Sequence, residues 1–167
     1  MPILDPDTIE FISRSPEQTQ RVGARLGMFL QSGDVVAMTG GLGSGKTLLA
    51  QGIGRGWGTT AALLSPTFVL VRRHTRPQDS LYLYHIDLYR LESVPEIESL
   101  GLEEMLGAPD SVCLVEWADR APDSLPDEVL WVDLRWLDEF RRSLTFHASG
   151  SRHCELLATL RKEIMGR

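Results

Sequence analysis

Gly40-Gly41-Leu42-Gly43-Ser44-Gly45-Lys46-Thr47 is the stretch on which the reading of this chain turns. It fits G-x-x-x-x-G-K-[ST], the pattern of a nucleotide-phosphate loop. An apolar run of strand character, Val35-Val36-Ala37-Met38, precedes it, and Leu48-Leu49-Ala50-Gln51 opens a helix behind it. Strand, loop and helix in that order are the context the pattern requires. Glycines let such a loop turn tightly and aim backbone N–H groups at phosphate oxygens, and the helix adds its positive N-terminal end. In this reading Gly41, Leu42, Gly43, Ser44 and Gly45 cradle phosphates. Lys46 reaches the β- and γ-phosphates, and Thr47 sets its hydroxyl on Mg²⁺. A random chain of this length matches the pattern well under about one time in a hundred. Lys46 and Lys162 are the only lysines present, and one of them fills the required slot.

Composition narrows the class. At 167 residues, 43% apolar and 24% charged, the chain predicts a single globular domain over residues 1–167 with a real core. A formal charge of −6 argues against strong nucleic-acid binding by the chain alone, because neutralising phosphates needs a basic face, although it leaves room for a local basic patch. Residues 1–10 carry acids and no apolar core, so no signal peptide is expected, and no apolar run approaches the length of a membrane span. Cys113 and Cys154 form no metal or redox pair, and Cys113 reads as a buried thiol in an apolar run. Together these features predict a cytoplasmic protein.

Periodicity supplies the rest of the frame. Residues 8–12 read as a short strand. Ser15-Pro16-Glu17-Gln18 then opens a helix with Ser15 as N-cap, Pro16 at the first position and Gln18 completing a capping box. Val22, Leu26, Phe29 and Leu30 form its buried stripe, and Gly33 is the expected stop. The helix after the loop should run from Lys46 to near Trp57, although Gly52, Gly54 and Gly56 each weaken it by about 1 kcal/mol if interior. Residues 68–73 and 81–87 read as an antiparallel hairpin, and residues 94–106 as a helix in two pieces broken at Gly101. Residues 111–115 form a continuous apolar run, the mark of a central strand buried on both faces. A loop over 118–127, a second antiparallel pair over 129–134 and 143–147, and an amphipathic helix over 154–164 complete the chain. The fold class is α/β, a three-layer P-loop NTPase-like fold with a mixed parallel and antiparallel sheet.

Four further places carry candidate chemistry. Glu116 ends the apolar run 111–115, where a carboxylate beside the phosphate loop holds Mg²⁺ through water. Trp117 follows it in place of a second acid, which predicts slow intrinsic hydrolysis or a base from elsewhere. Asp87 falls at a strand end within Tyr84-His85-Ile86-Asp87-Leu88-Tyr89-Arg90, with His85 on the same strand face and Arg90 within reach of a phosphate or of Asp87. Read locally, that group is also a strand-end ion pair with core aromatics. Ser65-Pro66-Thr67-Phe68 lies where a switch segment belongs, and its hydroxyls suit γ-phosphate sensing; read locally it is a Pro turn. Arg72, Arg73, His74 and Arg76 read as a solvated basic turn.

These motifs taken in order, Gly-x-Leu-Gly-x-Gly-Lys-Thr, Ser-Pro-Thr-Phe, His-x-Asp-x-Tyr-Arg and Val-Glu-Trp, resemble the TsaE family. Those proteins are bacterial P-loop ATPases of the tRNA threonylcarbamoyladenosine pathway. The resemblance implies an ATP- and Mg²⁺-dependent ATPase acting with TsaB and TsaD, with tRNA engaged only through that complex. Lys46 and Thr47 would then bind phosphate and Mg²⁺, and Glu116 Mg²⁺. Asp87 would be a catalytic or metal-site acid, Thr67 and Ser65 the switch, and Trp117 a residue close to the nucleotide. Glu17 resembles the adenine-side contact, and a late arginine, Arg141 or Arg142, would help bind nucleotide. Gly41 departs from the Asp common in the family. Two other classes stay open: a nucleotide-gated binding module with incidental turnover, and a small-molecule P-loop kinase, for which no Arg-rich lid is evident. From the charge alone, the isolated chain should bind tRNA weakly. A tight, salt-sensitive complex in a filter assay would contradict that.

Overall fold

The computed structural model describes residues 5–64, 71–91, 95 and 100–166. Their strands are β1 (Thr8–Ser13), β2 (Val35–Thr39), β3 (Val71–His74), β4 (Tyr82–Asp87), β5 (Ser111–Glu116), β6 (Leu130–Trp136) and β7 (Arg142–Ala148). Their α-helices are α1 (Pro16–Phe29), α2 (Lys46–Trp57), α3 (Leu102–Met105) and α4 (Ser151–Met165). The strands join in one seven-stranded mixed sheet of order β1-β7-β6-β2-β5-β4-β3. β6, β2, β5 and β4 run parallel through its centre, and β7, β1 and β3 extend it to both edges, each by antiparallel pairing with its neighbour.

Apolar patterning explains the layers. All six residues of β5 are buried, as a strand covered on both faces demands. Val112 and Leu114 point to the face covered by α1, α2 and α4, where Leu26, Ile53 and Leu157 meet them in one core. Cys113 and Val115 point to the other face, closed by α3 and by two short 3₁₀ turns, Ala118–Arg120 and Pro122–Ser124. Burial pushes the Cys113 thiol up to about 12, so it behaves as a small apolar side chain. Among the described residues no helix is long and apolar enough to cross a membrane.

Several local expectations change. Ser15 caps α1 by accepting the Gln18 N–H at 3.1 Å, but the Gln18 amide oxygen reaches back to the Arg14 N–H rather than that of Ser15. The helix ends at Phe29, not at Gly33, because the Phe29 carbonyl is taken by the Arg152 guanidinium at 2.9 Å and needs no glycine cap. Gly33 instead turns the chain into β2 and donates its N–H to Ser111 at 2.7 Å. α4 starts at Ser151, three residues ahead of Cys154, because buried His153 belongs to its inner face and escapes an apolar count. The basic turn is not simply solvated: the Arg76 guanidinium donates to the Trp57 carbonyl at 3.0 Å, stacks over the Trp57 ring and pairs with Asp79. The switch stretch at residues 65–68 and most of the helix expected over 94–106 lie outside the described residues.

The glycines of α2 acquire a reason. α1 and α2 cross so closely that a Cβ at Gly52 would strike the Gln20 carbonyl and one at Gly56 the Ala24 carbonyl. From the α1 side, a Cβ at Gly27 would strike the Ile53 carbonyl. Backbone meets backbone, with no flexible side chain to yield. An alanine in a helix is ordinarily favoured over glycine by about 1 kcal/mol. Here overpacking costs about 1–3 kcal/mol and should outweigh that gain. Gly56→Ala is therefore expected to lower the midpoint of thermal unfolding followed by circular dichroism; a higher midpoint would show that the helices can separate freely.

Candidate functional site

The parallel strands β2, β4, β5 and β6 all end at one edge, and the polar groups singled out from sequence gather there. β2 runs into the glycine loop, and Gly45, at φ 105° in the left-handed region, hands the chain to α2. Only glycine takes that conformation without strain. The first N–H groups of α2 have no carbonyl one turn back and face the loop. Lys46 is 5% exposed. Its Nζ donates to the carbonyls of Gly40 at 2.6 Å and Gly41 at 2.8 Å, and to Ser44 Oγ at 3.2 Å. Burial holds its pKa below the usual lysine range, while Glu116, Asp87 and Asp119 oppose that shift.

Beside the loop, Thr47 Oγ1 donates to Glu116 Oε1 at 3.0 Å. Glu116 is 2% exposed, and its second oxygen, Oε2, lies 2.5 Å from His85 Nε2. Asp87 stands opposite Glu116 in the β4–β5 register. Its Oδ1 accepts the Tyr89 N–H at 2.9 Å, and burial is the main reason its pKa is raised, with the Glu116 charge adding to it. Trp117 lies with its ring 4.1 Å from Lys46 Nζ and 4.9 Å from the Tyr89 ring. Its φ of 57° is the only positive value at a non-glycine among the described residues, a conformation that costs about 1–3 kcal/mol.

The structure thus brings Lys46, Thr47, Glu116, Asp87 and Trp117 together. Glu17 sits exposed in the first turn of α1, near the loop only in that its neighbour Thr19 approaches Gly45. Arg141 does not touch the loop: its guanidinium pairs with Asp138 at 2.7 Å in the β6–β7 turn. Arg142 takes that place, donating from Nε to the Gly43 carbonyl at 3.0 Å. Arg142 opens β7 while Arg141 stays in the turn before it, and the sequence alone did not fix where that strand begins. Arg90 lies exposed just past β4. Thr67 and Ser65 lie outside the described residues. Nothing lies within 4 Å of where a Cβ at Gly41 would sit, so the departure from Asp there answers no steric demand. His85 was legible only as a neighbour on a strand face; its burial against Glu116 was not.

Fold and site define an α/β protein in which a glycine loop carries a lysine and a threonine against a buried strand-end carboxylate. Residues 13–144 match the family model described as Threonylcarbamoyl adenosine biosynthesis protein TsaE. The tRNA threonylcarbamoyladenosine biosynthesis protein TsaE of Bacillus subtilis is 37% identical over 147 residues, covering 86% of this chain and 90% of that protein. Its counterpart in Treponema pallidum is 35% identical over 134 residues, covering 80% of this chain and 96% of that one. The crystal structure of Bacillus subtilis YdiB superposes with a TM-score of 0.77 at 29% identity, covering 93% of this chain and 95% of the other. The chain belongs to the TsaE family, the family of tRNA threonylcarbamoyladenosine biosynthesis.

Because the Asp87 pKa is raised, the folded chain holds that proton more tightly than the unfolded chain. The resulting stability is full below the ordinary aspartate range and is lost as pH rises through the folded value. Asp87→Asn keeps an oxygen for the Tyr89 N–H and carries no charge. It should therefore unfold at a higher temperature than the unchanged chain at pH 8, with the gap closing toward pH 4. A gap that widens in acid would reverse the sign of the argument.

Proposed function

We propose that the chain is a Mg²⁺-dependent ATPase that assists TsaB and TsaD in threonylcarbamoylation of tRNA. The observation that carries this reading is the 3.0 Å contact between Thr47 Oγ1 and Glu116 Oε1. It sets the helix hydroxyl and the strand-end carboxylate side by side, as the two protein ligands of a nucleotide-bound Mg²⁺ must be. Among the described residues no three His, Cys, Asp or Glu side chains cluster as metal ligands. That suits Mg²⁺, which keeps several waters and leans on phosphate oxygens rather than on a protein cage. Bound Mg²⁺ would supply neutralisation of charge on the β- and γ-oxygens.

The chain's own groups then divide the remaining work. Lys46 exchanges the carbonyls of Gly40 and Gly41 for phosphate oxygens, acceptors that carry more charge. The free N–H groups at the start of α2 face the same oxygens. Asp87, with its raised pKa, is suited to orient a water and accept its proton. It supplies from β4 the second acid that Trp117 displaces after β5. Trp117 covers Lys46 and limits water around it.

The nucleotide-gated binding module keeps one observation in its favour: Glu116 is followed by Trp117 rather than by a second carboxylate. Turnover separates the two readings. Mg²⁺-dependent ATP hydrolysis should be slow for the chain alone and rise when TsaB and TsaD are added. Turnover indifferent to them would remove the partner assignment, and no turnover in any mixture would favour the gate. Lys46→Ala should weaken ATP binding by about 10- to 100-fold in calorimetry, the loss of one charge-assisted contact. Unchanged affinity would sink the phosphate-loop assignment.

A further inference from the structure

The groups described so far leave one buried polar side chain at the site without a task. His85 lies on β4 at 0% exposure, beneath the edge where Asp87 emerges. Its Nε2 is 2.5 Å from Glu116 Oε2. A carboxylate accepts and does not donate, so the imidazole donates from Nε2. Nδ1 is buried and has no partner among the described residues. Among the described residues His85 therefore makes one directed contact, and that contact ends on Glu116.

Glu116 is held at both oxygens, by Thr47 on one side and by His85 on the other. The two donors come from different elements, α2 and β4, and fix the carboxyl plane between them. With only one donor the carboxyl could turn about its Cγ–Cδ bond. With both, Oε1 stays aimed at the hydroxyl of the loop helix. Ligand oxygens at metal sites are commonly held this way, and loss of the holding group typically costs about 10- to 100-fold in metal affinity.

We infer that His85 is a positioning residue, which orients Glu116 so that Oε1 faces the Mg²⁺-bound nucleotide beside Thr47. The inference rests on the nucleotide and metal reading proposed above. It differs from a packing role in what it demands of the side chain. Packing needs a flat apolar body; positioning needs an N–H at the reach of Nε2. Gln and Asn carry the same amide at different lengths. In His85→Gln the amide nitrogen falls near the Nε2 position and can reach Glu116. In His85→Asn it falls near the Nδ1 position and cannot. His85→Phe keeps the ring and removes the donor.

The test is nucleotide affinity of the full chain by calorimetry, with ADP in EDTA and then in excess Mg²⁺. Thermal unfolding of each variant is followed alongside. The unchanged chain should bind ADP more tightly with Mg²⁺. His85→Asn and His85→Phe should lose about 10-fold or more of that Mg²⁺-dependent gain while affinity in EDTA stays put. His85→Gln should restore the gain. Equal Mg²⁺ gain in all four proteins would overturn the inference. So would a loss in EDTA matching the loss in Mg²⁺, or a Gln variant no better than Asn. Should Phe fail to fold, the Gln and Asn pair decides by itself. An unchanged chain that binds ADP but shows no Mg²⁺ gain would remove the metal reading and this inference with it. An unchanged chain that binds no ADP would remove the phosphate-loop reading first.

Discussion

Backbone-to-backbone contact between α1 and α2 is the constraint from which the rest of the site follows. α2 carries Lys46 and Thr47 in its first turn, so wherever that helix lies, the two side chains lie with it. At Gly23, Gly27, Gly52 and Gly56 backbone meets backbone with no side chain between, and a Cβ at any of them would strike a carbonyl of the other helix. Such a contact has almost no slack, because protein interiors are close-packed and backbone cannot change rotamer. The helix pair is then seated on the sheet by Leu26, Leu49 and Ile53 against Val112 and Leu114. Glu116, one strand position beyond that core, meets Thr47 as a result.

Charge at the site is balanced by arrangement more than by exposure. Lys46 is almost wholly buried, which by itself disfavours its charge. Loop carbonyls stand where water would, and the carboxylates of Glu116, Asp87 and Asp119 lie close enough to act on it. Asp87 faces the converse problem, a carboxylate losing water beside another carboxylate. Under the proposed function, an anionic nucleotide would relieve the lysine and a divalent cation the two acids. These opposed burial and charge effects make the site less comfortable than the rest of the fold, as functional sites often are.

Much of this was legible in the sequence, and the gaps have physical causes. The glycine loop and β5 announce themselves because each is a contiguous pattern tied to local backbone geometry. The mixed sheet followed from two hairpin-like pairs flanking apolar runs; the second pair formed, and the first formed over its described residues, from Val71 onward. What stayed hidden joins residues far apart in the chain. His85 and Glu116 are separated by 31 positions, Arg142 and Gly43 by 99. Neither pairing leaves a mark on its own neighbourhood. The stop of α1 was misplaced for the same reason: Arg152, remote in sequence, satisfies the Phe29 carbonyl that Gly33 was expected to relieve. The α2 glycines looked like weak points in one helix and are contact points between two.

The turn between β3 and β4 gives α2 a second fixed end. Arg76 holds the Trp57 carbonyl at the helix C-terminus, and Gln78 reaches the same atom at 3.4 Å. A helix of 12 residues is about 18 Å long and resists any change in that length. α2 therefore acts as a gauge rod, touching the glycine loop at one end and the hairpin at the other. β4 leaves that hairpin and returns along the sheet to deliver His85 and Asp87 beside Thr47. The gap across the site is thus set by a rigid length measured out and back. One residue added to the rod or to the hairpin would shift His85 and Asp87 along the edge and leave the loop and Glu116 where they were.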